Sequence, residues 1–363
     1  MALTPNDEFL LARLYISVGE WPQARRRLTA LAAANPNNAL FVSSLVAGLV
    51  RFDADTKEAR KYLAALEKLQ PDAAPTVELT ARVLDAEGKP DAAAAVLVAF
   101  AQKDAKNVAP AAAVLDSLGH EKLAEPLYRR LAADPARPEA AFLLAGNLGR
   151  CGRTGEALEV VRGAAAKFPP ALVAAAGVEI LNTAPRIEPA DAKQVEAWVA
   201  AVPATAANRA AILELTGTLR TVQERYGEAV EAYRELIALV PQNAAHLNNI
   251  AYLLGVREGK FDEAMGFLDK AKRIAGPRPL YRDTEGLILL QKGDVRAAIE
   301  VLGAAARETH DAVAYFHLAL AHDKAGEARD SSGAMGVAKR LKLRPRDVIP
   351  GERRDLARLL ARA

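Results

Sequence analysis

The chain has 363 residues, 51% of them hydrophobic and only 5% aromatic, with a formal net charge of +3 from 48 basic and 45 acidic side chains. That apolar content excludes a disordered chain, and the length passes the roughly 250–300 residues at which one compact core stops growing, which leaves several domains or one extended array. Near-balanced charge offers nucleic acid no general attraction, no apolar run reaches the ~18–20 residues of a membrane span, and the single cysteine, Cys151, excludes an intrachain disulfide.

About a fifth of the residues are alanine. Alanine is the strongest helix former and lets helix axes approach closely. Alternating runs of β-branched and aromatic residues are missing, so an all-α chain is expected, with about twenty helices and no sheet. The opening, Met1-Ala2-Leu3-Thr4-Pro5, carries neither a basic nor an apolar leader region. A soluble, cytoplasmic chain is the expectation.

From there a unit repeats along the chain. An anchor alanine has glycine five residues before it, a large apolar residue four after it and proline about twelve after it. Gly19, Ala24, Leu28 and Pro36 are the first instance; Ala59, Leu63 and Pro71 follow without the glycine. Then come Gly88, Ala93, Leu97; Gly119, Ala124, Tyr128, Pro135; and Gly152, Ala157, Val161, Pro169. After a gap the phase resumes at Ala229, Tyr233 and Pro241, again without glycine, then at Gly259, Ala264, Leu268, Pro277 and at Gly293, Ala298, Leu302. Twelve residues before the anchors stands a second small residue: Ala12, Ala47, Ala81, Ala112, Ala145, Gly217, Gly286 and, with one residue inserted, Ala251.

Each position has a physical reason. Two short antiparallel helices cross at the small residues, the glycine ends the first helix in the left-handed conformation, and the proline stops the second. Such a hairpin cannot bury its apolar face alone and must stack on its neighbours. In the gap, Ala192 and Pro203 keep phase, but Glu196 takes the large apolar slot and Pro185 and Pro189 lengthen the turn. Residues 4–170 and 205–345 are therefore expected to be two runs of repeats, with 171–204 a degenerate repeat or joint. A last hairpin has Ser331 at its anchor, and 346–363 reads as a capping helix and basic tail.

This pattern resembles the tetratricopeptide-repeat family, over about residues 4–345. The segments Leu247–Leu254 with Gly259–Ala264, and Asp283-Thr284-Glu285-Gly286, are similar to bacterial members. The opening Leu3-Thr4-Pro5 through Tyr15 is similar to repeat arrays near the C-termini of large bacterial proteins, planctomycete-like ones in particular. The resemblance implies a right-handed superhelical solenoid of about ten hairpins that binds a peptide or folded partner on its concave face. Carrying over the family's groove positions marks Phe9, Arg13, Ser44, Glu78 and Arg82 in the first half, and Asn248, Tyr252, Asp283, Leu287, Phe316 and Leu320 in the second. The family's carboxylate clamp for chaperone C-termini is not expected, because Glu214 and Leu280 stand where its lysines belong.

No catalytic residue, cofactor or metal ligand is assigned. His317 and His322, five apart, fall on different helix faces, whereas a helical metal pair needs i, i+4. Cys151 has no histidine near it in sequence, and Gly149-Arg150-Cys151-Gly152 follows no strand and so is no phosphate loop. The expected function is a scaffold or adaptor for another protein, not an enzyme and not a small-molecule binder. The alternative is a regulatory or assembly module that contacts nucleic acid or an acidic membrane through the basic C-terminal end, where Lys339, Arg340, Lys342, Arg344 and Arg346 precede Arg353, Arg354, Arg358 and Arg362.

Overall fold

Helices fill the computed structural model, which describes residues 3–362, and no strand occurs among them. Met1 and Ala2, where no leader region was expected, and the tail residue Ala363 lie outside the described residues. Two compact units form, Met1–Asn147 and Leu148–Ala363. In the first, α1 (Pro5–Ser17) pairs with α2 (Trp21–Ala34), α3 (Ala39–Gly48) with α4 (Thr56–Leu69), α5 (Ala74–Ala86) with α6 (Pro90–Lys103), and α7 (Val108–Leu118) with α8 (Glu121–Ala132). The unit boundary falls within α9 (Ala140–Arg150), which precedes α10 (Thr154–Ala164).

The second unit continues with α11 (Pro170–Thr183) against α12 (Pro189–Ala200), α13 (Arg209–Val222) against α14 (Tyr226–Leu239), and α15 (Ala244–Tyr252) against α16 (Phe261–Ala275). Next α17 (Pro279–Lys292) packs on α18 (Val295–Thr309), α19 (Ala312–Lys324) on α20 (Ala328–Arg340), and α21 (Arg353–Leu360) on α19 and α20. The pairs from α1 to α8 and from α11 to α20 are hairpins of the expected kind, and α21 is the expected final helix. No described helix is long and apolar enough to cross a membrane.

The repeat positions do what their chemistry dictates. All eight predicted anchor alanines, from Ala24 to Ala298, are fully buried, and Leu28, Leu63, Leu268 and Leu302 four residues on are buried with them. Each such leucine contributes roughly 1.5–3 kcal/mol of burial. The six predicted turn glycines, Gly19, Gly88, Gly119, Gly152, Gly259 and Gly293, take φ of 69° to 100°. Where glycine is missing the geometry persists: Ala54 and Glu224, five before Ala59 and Ala229, sit at φ 52° and 58°. Ser331 is buried at its anchor because its hydroxyl donates to the Ala319 carbonyl oxygen, 2.9 Å away.

Two sequence expectations shift in register. Ala47 is exposed, and fully buried Val46 takes the crossing position. A π-helical turn, Leu49–Asp53, follows and inserts one residue, as Leu253–Arg257 does after Ala251. In α12, Ala192 is only half-buried, while Val195 is fully buried and Val199 nearly so. The long turn moves the anchor three residues on, to Val195. That leaves Glu196 near the surface, where it accepts from Arg220 at 2.5 Å and Arg225 at 3.1 Å.

Candidate functional site: the first-helix face of the second unit

In the second unit the first helices of successive hairpins, α13, α15, α17 and α19, share one face. Asn243 and Asp311 start two of them: each side chain accepts backbone N–H bonds from the first turn, at 2.9–3.3 Å. Between these helices lies a cavity of about 390 Å³. Thr218, Tyr233, Asn248, Asn249, Thr284 and Leu280 contribute to its wall, and Leu280 is 57% exposed there. Asn248 is buried, and its Oδ1 has no hydrogen-bond partner. Neither lysine nor arginine lines this cavity among the described residues.

One wall comes from the far end of the chain. After α20 the backbone leaves the hairpin pattern, makes short 3-10 turns at Pro345–Asp347 and Pro350–Glu352, and lays Val348, Ile349 and Pro350 against the cavity. It ends in a buried carboxylate. Glu352 Oε1 accepts from Tyr252 Oη at 2.6 Å and lies 3.6 Å from Arg257 Nη2; Oε2 lies 3.4 Å from His317 Nε2. The other imidazole nitrogen of His317 donates to Asp283 Oδ2 at 2.8 Å. Arg257 donates to Tyr252 Oη at 2.6 Å and to the Gly351 carbonyl oxygen at 3.4 Å, with its guanidinium 5.2 Å from the Tyr226 ring centre and 5.4 Å from that of Tyr252. The π-helical turn carries Arg257 into this position.

Electrostatics in the cluster are set by burial opposed by partners. Burial disfavours the charge on His317, but Asp283 and Glu352 override it and raise the imidazole pKa to about 10. Burial likewise works against the Glu352 carboxylate, yet His317, Tyr252 and Arg257 hold it below the ordinary range. Tyr252 is pushed up, first by burial and then by the neighbouring Glu352 charge. The cluster therefore carries a cationic imidazole between two carboxylates.

A glycine is required at the contact. A Cβ on Gly351 would collide with Tyr226 Oη and stand 3.1 Å from Arg257 Nη2. The following residue, Arg353, donates to the carbonyl oxygens of Ala184 at 2.5 Å and Asn182 at 2.9 Å, at the end of α11. The Asn182 carbonyl is among the last four of the helix, which lack an intrahelical partner, and Ala184 is the C-cap residue that follows it.

The predicted face residues fall into distinct places. Asn248, Tyr252, Asp283 and Leu287 meet around the cavity, with Leu287 mostly buried. Phe316 does not; it is fully buried in a core completed by Leu343, Val348, Leu356 and Leu359, and its neighbour His317 reaches the cavity instead. The returning segment draws Phe316 inward, a long-range effect that no repeat spacing carries. Leu320 is half-buried beside that core. In the first unit Phe9 is core, its ring centre 5.2 Å from that of Phe41. Arg13 is exposed, Ser44 donates to the Leu40 carbonyl oxygen, and Glu78 pairs with Arg82 at 2.8 Å.

Sequence reasoning missed Arg257, Glu352 and His317 as site residues. Asp283 and His317 are 34 apart, one repeat length, which is the only local signal they offered. The cluster His322, Glu327 and Asp330 has metal-ligand atom types, but both its carboxylates are exposed and His322 is paired to Glu327 at 2.7 Å.

Stacked antiparallel hairpins with alanine crossings define a helical-repeat protein of the kind built for protein contacts. Residues 216–279, from the second half of α13 to the start of α17, match the family model described as tetratricopeptide repeat, and the all-helical hairpin architecture agrees with that match. Proteins of this family serve in general as interaction scaffolds. Among solved structures, the chain is similar to the one titled "MamA RS-1 ArsTM double mutant", at 19% identity and a TM-score of 0.31, over 43% of this chain and 92% of that one. Comparison with curated proteins finds no match.

Proposed function

We propose that the chain is a protein-interaction scaffold whose first-helix face in the second unit takes up an extended segment of another protein. The observation that supports this most is the cavity between α13, α15, α17 and α19, where the exposed Leu280 side chain adjoins the buried, unpartnered Asn248 Oδ1. Apolar surface beside an unmet acceptor suits a peptide, which brings side chains and backbone N–H donors together. A photo-crosslinking residue at Leu280 should trap protein partners from a lysate. The same residue at Leu239, equally exposed on α14 but away from the cavity, should not. Equal trapping at both positions would reject this face.

The basic end gives the nucleic-acid or membrane alternative little support. Arg358 and Arg362 reach Asp323 at 2.5 and 3.1 Å, Arg344 pairs with Asp347 at 3.2 Å, and Arg353 is bound to carbonyl oxygens. Much of that charge is thus engaged within the chain. Retention on heparin that fell steeply with salt would speak for the alternative.

A further inference from the structure

We propose that the ligand of this face is an extended segment with a glycine–glutamate–arginine core, and that the chain's own Gly351-Glu352-Arg353 is that ligand bound in cis. This rests on the reading of the face given above and names its partner's chemistry. It makes the C-terminal segment a latch that a partner of like sequence displaces.

Three observations carry it. First, the task of covering the last hairpin is performed by Leu343, Val348, Leu356 and Leu359, which close over Phe316 and Met335. A cap needs no buried carboxylate, and burying one is costly unless partners are built for it. Here Tyr252, Arg257 and His317 converge on Glu352 from α15, its π-helical extension and α19. Second, the contact has the form of peptide recognition. Residues 344–352 run as an irregular strap, a glycine permits close approach to Tyr226 and Arg257, and an arginine caps the end of α11. Third, the strap leaves the face unfinished. The cavity beside it stays open, Asn248 Oδ1 is unmet, and Tyr226 Oη is buried without a partner where it abuts Gly351. A segment that extended further along α15 and α17 would bury Leu280 and satisfy Asn248, contacts the tethered strap does not make.

The partner therefore presents a free acidic side chain after a glycine, with a basic residue next. It is read by side-chain carboxylate geometry, not by a chain terminus. Displacement leaves the receiving residues in place, because His317 keeps Asp283 as its partner at 2.8 Å.

The test uses the whole 363-residue chain and a fluorescent peptide with the sequence of residues 345–356. Two latch variants, Glu352→Gln and Arg353→Gln, leave every receiving side chain intact. Hydrogen exchange at the amides of 346–352 should accelerate at least about tenfold in both, and peptide affinity, read by polarisation, should rise at least about tenfold over wild type. A peptide with glutamine in place of its glutamate should lose that gain. So should a receiver that adds Tyr252→Phe, which removes one hydroxyl, the donor to Glu352 and the acceptor for Arg257. If exchange at 346–352 does not change in either variant, the carboxylate is no latch and the proposal falls. If the strap opens but the peptide binds no better, or the glutamine peptide binds equally, the segment is a structural cap alone. Crosslinks from Leu280 without any peptide binding would overturn the latch and leave the face reading standing; peptide binding without crosslinks would do the reverse.

Discussion

His317 and Glu352 tie the strap to pH in opposite senses. The Glu352 pKa is lowered on folding, so its contribution is complete above the ordinary carboxylate value and disappears as pH falls through the folded one. The His317 pKa is raised to about 10, so its contribution is complete below the unfolded value near 6.5 and is lost as pH climbs from there to about 10. The second unit should thus be most stable between about pH 5 and 6.5, with denaturation midpoints falling on both sides. Glu352→Gln should flatten the acid limb and shorten the alkaline one. A midpoint that rose between pH 7 and 10 would contradict the assignment. Two residues hold strained backbone for the sake of the repeat. Ala54 and Glu224 sit in the left-handed region, which costs a side-chain-bearing residue about 1–2 kcal/mol. Glycine there relieves the strain and loses about 0.4–1 kcal/mol to its freer unfolded chain. Glu224→Gly should therefore raise stability by about 0.5–1 kcal/mol in chemical denaturation; a loss would show that the turn is not strained.

At the level of elements, the helix crossings have no spare volume. Ala264 is fully buried, and its Cβ faces Gly255 in the π-helical turn, 3.0 Å from where a Cβ on that glycine would stand. Ala264→Leu should cost about 1–3 kcal/mol by overpacking and spread to adjacent hairpins, since stacked repeats share their interfaces. An unchanged midpoint would place Ala264 off the crossing. The hairpin of α11 and α12 is built on a different turn from its neighbours. Its anchor, Val195, lies 38 residues after Ala157 and 34 before Ala229, so the extra length is confined to one loop and the phase then recovers. Trp198 fits because Gly177 faces it: a Cβ there would meet the indole at 2.8 Å. The register is legible only with the packing known, because alanine at 192 and valine at 195 are both acceptable helix residues and the loop decides between them.

Over the whole molecule, stability in a stacked array is set hairpin by hairpin. We propose that 171–204 opens at lower free energy than its flanks and separates the runs 4–170 and 205–345. The motivation is the long loop after α11, where Arg186 is largely exposed and pairs with Glu188 at 2.9 Å. Hydrogen exchange should be fastest among internal segments at 182–191, and trypsin should cut first after Arg186. Because Arg353 holds the carbonyls of Asn182 and Ala184, Arg353→Gln should speed that cut severalfold. A first cut elsewhere in the array would mean that this hairpin is as sound as the rest.

The amino-acid sequence by itself determined the hairpin, its repetition and its polarity. Outside the α11–α12 hairpin, a buried alanine every 31 to 35 residues, a left-handed turn five before it and a proline beyond the second helix are local demands, met by residues close together in the chain. Four of the eleven face residues carried over from the family resemblance, Asn248, Tyr252, Asp283 and Leu287, line one cavity, because a repeat places equivalent positions side by side. Only tertiary structure decided what completes the site. Tyr252 and Glu352 are 100 residues apart, Arg353 and Asn182 are 171 apart, and no periodicity links them. After α20 the chain turns back so that Leu343, Val348, Leu356 and Leu359 cover Phe316 and Met335, and the same turn delivers a carboxylate to an imidazole that helical spacing had assigned to no role.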